Sequence, residues 1–282
     1  MVENISEISG PKFNNKSLQD FYDQNGFVKI PLLDEFEVQN LKEFYKIVEQ
    51  EHLKIKLPFI TTSHSNNANL IEKVNNAILS IVTQPIYQKI TNSEIIFSNF
   101  LVKRFGKGTE SNPHQDLTIV DERKFMSFSI WIPLENVSSK NGGMRFLPKS
   151  HLFDISIRPN SSSYWKYNNV IDEINDDLQT QDANIGEAFV FSHSLIHGSF
   201  SNMSNHNRLA CVISLHPKGS KLYNYFLKED AILQKYEMSK EAFIKYIKGG
   251  PPSFGKLIEE QKFNLSKISK KEYFQLKQKV GL

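Results

Sequence analysis

The chain has 282 residues, 39% of them apolar and 21 of them Phe, with a formal charge of +3, which is the composition of an ordinary globular protein with a well-buried core. Its single cysteine, Cys211, lies in the apolar run Leu209-Ala210-Cys211-Val212-Ile213, which excludes a disulfide framework, marks the residue as a small core group and fits a reducing compartment. The first residues carry acids and lack an apolar leader segment, and no run of about 18 apolar residues occurs that spans a bilayer, so the expectation is a cytoplasmic protein with no membrane span.

From the N-terminus, Ser17 to Gly26 predicts a short helix with Ser17 as N-cap, Asp20 at the capping-box position and Gly26 as its stop. A strand follows at Phe27-Val28-Lys29-Ile30. Asp34 then caps a second helix, running to about Glu51, whose apolar positions Phe36, Val38, Leu41, Phe44, Tyr45 and Val48 keep a helical period. Thr61 to Asn69 reads as a polar loop, and Leu70 to Val82 returns to helical spacing.

From Glu94 the texture is β-rich. Candidate strands are Ile95 to Phe105, Asn112 to Val120, Met126 to Pro133, Gly143 to Leu147, Gly186 to Phe191 and Arg208 to Leu215. Many short strands with few helices predict a sandwich or barrel. A long polar insertion, about 152–185, interrupts them and reads as a lid. Beyond Leu215 the expectation is a helical extension, with helices at Tyr225 to Lys235, Ser239 to Ile247 and Ser269 to Val280 and a break at Gly249-Gly250-Pro251-Pro252. The tail from Lys221 holds 13 Lys, no Arg and 7 acids, hence +6 and −3 for the rest. That balance suits an anionic partner or a solvated face, and the missing Arg argues against nucleic acid. One domain over 1–282 is expected, with 17–93 as helical support, 94–216 as β core and 217–282 as basic extension.

The chemistry gathers at Pro113-His114-Gln115-Asp116. In an extended segment, residues i and i+2 project from one face, so His114 and Asp116 aim at one point. A distant second imidazole would complete the two-His, one-carboxylate set that favours Fe(II) with open positions for oxygen chemistry. Two candidates stand in Ser192-His193-Ser194-Leu195-Ile196-His197-Gly198. If that stretch is extended they lie about 13 Å apart and only one reaches the ion. Arg208 favours His197. The turn-like run Ser201 to Asn207 makes His197 and Arg208 the two arms of a hairpin, and a guanidinium beside iron is what a dicarboxylate cosubstrate needs.

With these residues the chain resembles the phytanoyl-CoA dioxygenase family of Fe(II)- and 2-oxoglutarate-dependent oxygenases. The likeness rests on Pro113 to Asp116, Trp131-Ile132-Pro133-Leu134-Glu135-Asn136-Val137, Asn141 to His151, and His197-Gly198-Ser199 followed by Arg208. It covers about residues 17–216. It implies a mainly β fold with flanking helices, built on a double-stranded β-helix (jelly-roll, cupin-like) core. It implies iron on His114, Asp116 and His197, 2-oxoglutarate's distal carboxylate on Arg208, and Ser199, Gln115 and Trp131 lining the cosubstrate or substrate side. His151 is implied to be structural. O2 is the co-reactant, succinate and CO2 are products, and a C–H bond of a small molecule is hydroxylated. Asp116, present where halogenating relatives carry a small residue, disfavours halogenation. Arg158, Tyr164, Trp165, Lys166 and the tail lysines lean toward an anionic or amino-acid-like substrate. The polar group some relatives place on the strand before the His-x-Asp loop has no assigned counterpart, although Ser98, Asn99 and Lys103 lie near. The alternatives are a non-catalytic binding or scaffold protein that keeps the fold, and a zinc hydrolase, for which no general base is evident.

Overall fold

A computed structural model describes residues 8–160, 164–245 and 252–282 of the chain. A short strand, β1 (Lys12–Phe13), leads into helix α1 (Lys16–Asn25). Its N-cap is Asn15, which accepts from the Leu18 amide, and Ser17 sits inside the first turn instead. Both residue types cap well, and the one with extended backbone takes the role. Gly26 stops the helix at φ 78°. A Cβ there would lie 2.4 Å from His151 Nδ1, so the turn into β2 (Phe27–Pro31) requires glycine. His151 is structural, as expected: its Nε2 donates to the Asp23 carbonyl at 3.2 Å. Helix α2 (Glu35–His52) is closed by a capping box between Asp34 and Glu37. Strand β3 (Phe59–Thr61) and helix α3 (Ala68–Lys89) follow, and α3 continues past Val82 because Pro85 and Ile86 carry the buried stripe onward.

Next come β4 (Ile90–Thr91), β5 (Ser93–Lys103), β6 (Ser111–His114), β7 (Phe128–Pro133) and β8 (Met144–Phe146). Helix α4 (Ile171–Asp177) precedes β9 (Gln179–Gln181), β10 (Glu187–Ser192), β11 (His197–Ser199) and β12 (Arg208–Pro217). They build two antiparallel sheets, a larger one in the order β2-β10-β7-β12-β5-β3 and a smaller one in the order β6-β11-β8-β9. The two face each other as the double-stranded β-helix. The expected strand Asn112 to Val120 is cut to β6, since the residues after His114 leave the sheet.

Alternation divides the large sheet into two environments. On its outer face Phe100 and Val102, Ile130 and Ile132, Val190, and Cys211 and Ile213 pack against α2 and α3 through Leu41, Tyr45, Val74 and Ile78. Inner-face residues Trp131, Phe189, Phe191 and Ala210 pack toward Met144 and Phe146 of the small sheet. Burial of this outer core orders the large sheet and leaves the space between the sheets for a site.

The extension differs from expectation. It contains β13 (Leu222–Leu227), β14 (Ile232–Met238), the short helix α5 (Lys240–Lys245), β15 (Lys256–Lys262) and α6 (Lys270–Val280). The predicted helix Tyr225 to Lys235 is a hairpin of β13 and β14, registered from Leu222 opposite Met238 to Leu227 opposite Leu233. The charged run Lys228-Glu229-Asp230, which reads as a polar helix face, is its turn. The final helix is as expected, with Ser269 as cap. Residues 249–251 of the expected break lie outside the described residues. The insertion is tied down and not a free flap: Phe153, Tyr167, Ile174 and Leu178 share a small core with Ile268 and Tyr273. Among the described residues, no helix is long and apolar enough to cross a membrane.

Candidate functional site

Strands β6 and β11 pair so that His114 lies opposite His197. Gly198 makes this approach possible, since a Cβ there would sit 2.7 Å from the Ser111 carbonyl. The two imidazoles are 4.2 Å apart between ring centroids. His114 Nδ1 donates to the Asn112 carbonyl at 2.8 Å, and His197 Nδ1 to the Leu195 carbonyl at 3.0 Å. Both bonds fix the tautomer that leaves Nε2 with a free lone pair. Asp116 Oδ1 is 4.0 Å from His197 Nε2. Each of the three residues offers a ligand atom, and those atoms all lie within 4.8 Å of one another.

Electrostatics suit a cation. Burial, then the adjacent His114, push His197 down to about 4, against the pull of Asp116, so it is a neutral imidazole near pH 7. Burial would raise the Asp116 carboxyl, but His197, His193, His114 and Arg158 outweigh it and hold it below its usual value. The loop carrying Asp116 is fixed from behind, where Arg158 Nε donates to the Asp116 carbonyl at 2.6 Å. The same guanidinium pairs with Glu122, and the side chains are only 7% and 9% exposed.

The chain turns after Ser192 and is not extended, so His193 also comes within 4.0 Å of Asp116. It is engaged otherwise: His193 Nε2 is 3.0 Å from Ser129 Oγ, which reaches Asp116 Oδ2 at 3.4 Å. His193 therefore orients the carboxylate through Ser129. His197 and Arg208 are likewise not neighbours on paired strands. They face each other from the two sheets, across a cavity of about 310 Å³ that also contains His114 and Asp116.

Arg208 is 1% exposed. Its Nε and Nη1 are buried without a hydrogen-bond partner, and the guanidinium lies 5.0 Å over the Trp131 ring. Burial lowers it to about 10, opposed by Glu135, so the cation persists at neutral pH. A buried guanidinium with open donors demands an acceptor. Lys103 sits beside it, a residue left unassigned by the sequence. Its Nζ donates to Ser199 Oγ at 2.6 Å and to the Phe200 carbonyl at 2.7 Å. Burial and then Arg208 lower Lys103 to about 7, with Glu110 opposing. The signal was available in the alternation of β5, whose Phe97, Asn99, Leu101 and Lys103 share one face, but the register against Arg208 was not.

Ser199 and Trp131 line the cavity. Gln115 does not. Lying between His114 and Asp116, it projects to the opposite side, where its Nε2 donates to the Ser194 carbonyl at 2.5 Å and its Oε1 accepts from Trp165 Nε1 at 3.3 Å. Lys166 pairs with Asp154. Arg158 and Trp165 thus brace the His-x-Asp loop, and neither they nor Lys166 is among the cavity-lining residues.

The family model described as phytanoyl-CoA dioxygenase (PhyH) matches residues 22–210. The chain belongs to the phytanoyl-CoA dioxygenase family. As a member it is an iron- and 2-oxoglutarate-dependent oxygenase, and its residues fit both groups: three neutral or anionic donors converge for the metal, and an unpartnered guanidinium awaits a carboxylate. Among solved structures it is similar to the non-heme α-ketoglutarate-dependent carbocyclase SnoK from nogalamycin biosynthesis, at 18% identity and TM-score 0.52 over 76% of this chain and 89% of that one. It is also similar to AviO1 from Streptomyces viridochromogenes Tue57, at 15% identity and TM-score 0.50 over 74% and 97%. A third is the epimerase SnoN in complex with Fe3+, α-ketoglutarate and nogalamycin RO, at 15% identity and TM-score 0.50 over 86% and 95%. These likenesses show the shared fold. No curated protein sequence matches the chain.

Proposed function

We propose that this oxygenase hydroxylates an unactivated C–H bond of a small molecule, with His114, Asp116 and His197 holding Fe(II) and Arg208 gripping the distal carboxylate of 2-oxoglutarate. The observation that carries the reading is the buried, unpartnered Arg208 facing the cavity into which the two imidazoles and the carboxylate converge. With O2 as the oxidant, iron and 2-oxoglutarate would supply the oxidative chemistry that the side chains lack, 2-oxoglutarate leaving as succinate and CO2.

The chain's own residues do the rest. Arg208 binds the diacid and Lys103, through Ser199, closes the same end with a second positive group. Trp131 holds the guanidinium plane from below. Ser129 and His193 fix the rotamer of Asp116. The apolar wall of Phe191, Trp131 and Met144 keeps bulk water from the reacting centre. Among the described residues lining the cavity, no general acid or base stands beyond the three donors and His193. With the three donors given to the metal and His193 held on Ser129, none of these is left free for hydrolysis, which supports C–H oxidation. Asp116 supports hydroxylation over halogenation by occupying the position a halide would need. Two similar structures carry the names carbocyclase and epimerase, and in this reading the substrate's own geometry selects the outcome.

The test is aerobic turnover of 2-oxoglutarate with added Fe(II), followed as succinate release. We expect metal-dependent succinate in the wild type and none in His114→Ala. Full turnover by His114→Ala would refute the assignment.

A further inference from the structure

The cavity changes character along its length. On the paired strands β5 and β12, the inner-face residues run from Lys103 opposite Arg208, past Leu101 opposite Ala210 and Asn99 opposite Val212, to Phe97 opposite Ser214, and Arg208, Leu101, Asn99, Val212, Phe97 and Ser214 of these line the cavity. A five-carbon diacid held by Arg208 covers about two residues' rise of strand, roughly 7 Å, while Val212 lies about 13 Å along it. The part from Asn99 and Val212 onward is therefore beyond the cosubstrate.

That part is apolar. Phe97 stacks with Phe243 of α5 at 6.4 Å and 23°, and both pack with Ile119. Leu117, 42% exposed, stands at the rim. Asp116 and Arg208 are the charged residues among the described cavity lining, and both are used by metal and cosubstrate. Arg158 and Lys166, the cations that favoured an anionic substrate, are paired with Glu122 and Asp154 elsewhere. A charge carried into this end would lose hydration and gain no partner, which is strongly unfavourable. Ser214 lines this end beside Phe97, and a second polar group faces inward: Asn99, 3% exposed, whose Oδ1 is buried without a hydrogen-bond partner.

We infer that the substrate is an uncharged, largely apolar molecule, seated among Phe97, Phe243, Leu117 and Ile119, with one hydrogen-bond donor received by Asn99. The inference rests on the oxygenase reading and deepens it. The C-terminal extension, through Phe243 on α5, becomes part of the specificity pocket. Among its described residues, the basic tail thus contributes an aromatic wall to the cavity lining and no cation.

The test is calorimetric titration of the protein loaded with Zn(II) and 2-oxoglutarate, using 2-naphthol, 2-methoxynaphthalene and 2-naphthoate as probes. We expect saturable binding of 2-naphthol and at least roughly tenfold weaker binding of 2-naphthoate, the ratio expected for an unpaired buried charge that is partly solvated. Phe243→Ala should weaken 2-naphthol by about tenfold and leave 2-oxoglutarate affinity unchanged. Phe243→Leu, which preserves most of the volume, should retain most of the binding and guards against a folding defect. Asn99→Leu should erase the advantage of 2-naphthol over 2-methoxynaphthalene without altering 2-oxoglutarate affinity. Equal or tighter binding of 2-naphthoate, or no saturation by 2-naphthol, overturns the inference while the oxygenase reading stands. Weaker 2-oxoglutarate binding by Asn99→Leu removes Asn99 from the substrate side. If the protein takes up neither Zn(II) nor 2-oxoglutarate, both readings fall together.

Discussion

Lys103 and Arg208 are direct partners across β5 and β12, two basic side chains buried side by side. Like charges so placed are mutually unfavourable until a carboxylate arrives. Arg208→Met should weaken 2-oxoglutarate binding by about 2–5 kcal/mol, the cost of removing one partner of a buried charge pair. Lys103→Met should cost less, about 1–2 kcal/mol, because Lys103 is partly satisfied by Ser199 and Phe200. Equilibrium dialysis with 2-oxoglutarate and Mn(II) measures both.

Lys103 also makes cosubstrate affinity depend on pH. Its ammonium is depressed to about 7 in the free site, and an arriving carboxylate favours the charged form. Binding above pH 7 therefore takes up a proton, and affinity falls as pH rises from 7 toward 9. The slope should vanish in Lys103→Met. A pH-independent dissociation constant in the wild type would contradict this role.

His193 and Ser129 act on the metal through Asp116. Ser129→Ala or His193→Phe should weaken metal binding by about 10–100-fold with the stoichiometry kept at one, the usual effect of removing a group that orients a ligand. Competition with a metal-indicator dye distinguishes this from His197→Ala, which should abolish the site.

How much of this could be read from the residues follows from what period and spacing encode. His114 and Asp116 were legible because i and i+2 share a face of any extended segment, whatever the fold around them. Arg208 was legible as a type of residue at a distance from His197, but its place across the cavity, on the other sheet, depends on topology that a linear chain does not display. Gln115 was misplaced for a related reason, since its neighbours face the cavity and it therefore cannot. The pairing of Lys103 with Arg208 and the stacking of Phe243 on Phe97 lay hidden because they arise from register and from a packed extension. The hairpin of β13 and β14 was missed where a charged turn imitates the polar face of a helix.

The Arg158–Glu122 pair is buried and holds the Asp116 loop. Arg158→Met leaves Glu122 buried without its partner and should lower stability by about 3–5 kcal/mol. Chemical denaturation reads this directly, and the double variant Arg158→Met with Glu122→Gln should recover much of the loss.

Acid should destabilise the protein through buried neutral histidines. Burial depresses both His52 and His151 to about 4 from 6.5. The unfolded chain binds these protons near pH 6.5 and the folded one does not, so stability is full above pH 6.5 and is lost as pH falls toward 4. Two such groups give a slope of about 2.7 kcal/mol per pH unit within that window. Thermal unfolding between pH 7.5 and 4.5 measures it, and His151→Asn should lower the slope by about 1.4 kcal/mol per pH unit, the contribution of one such histidine.

The central claim is tested most directly by adding Fe(II) and then 2-oxoglutarate to the protein without oxygen and recording the visible spectrum. The account predicts a metal-to-ligand charge-transfer band that saturates at one equivalent, is absent in His114→Ala and His197→Ala, and needs far more 2-oxoglutarate in Arg208→Met. A colourless wild-type protein at saturating Fe(II) and 2-oxoglutarate, or an undiminished band in those variants, would contradict it.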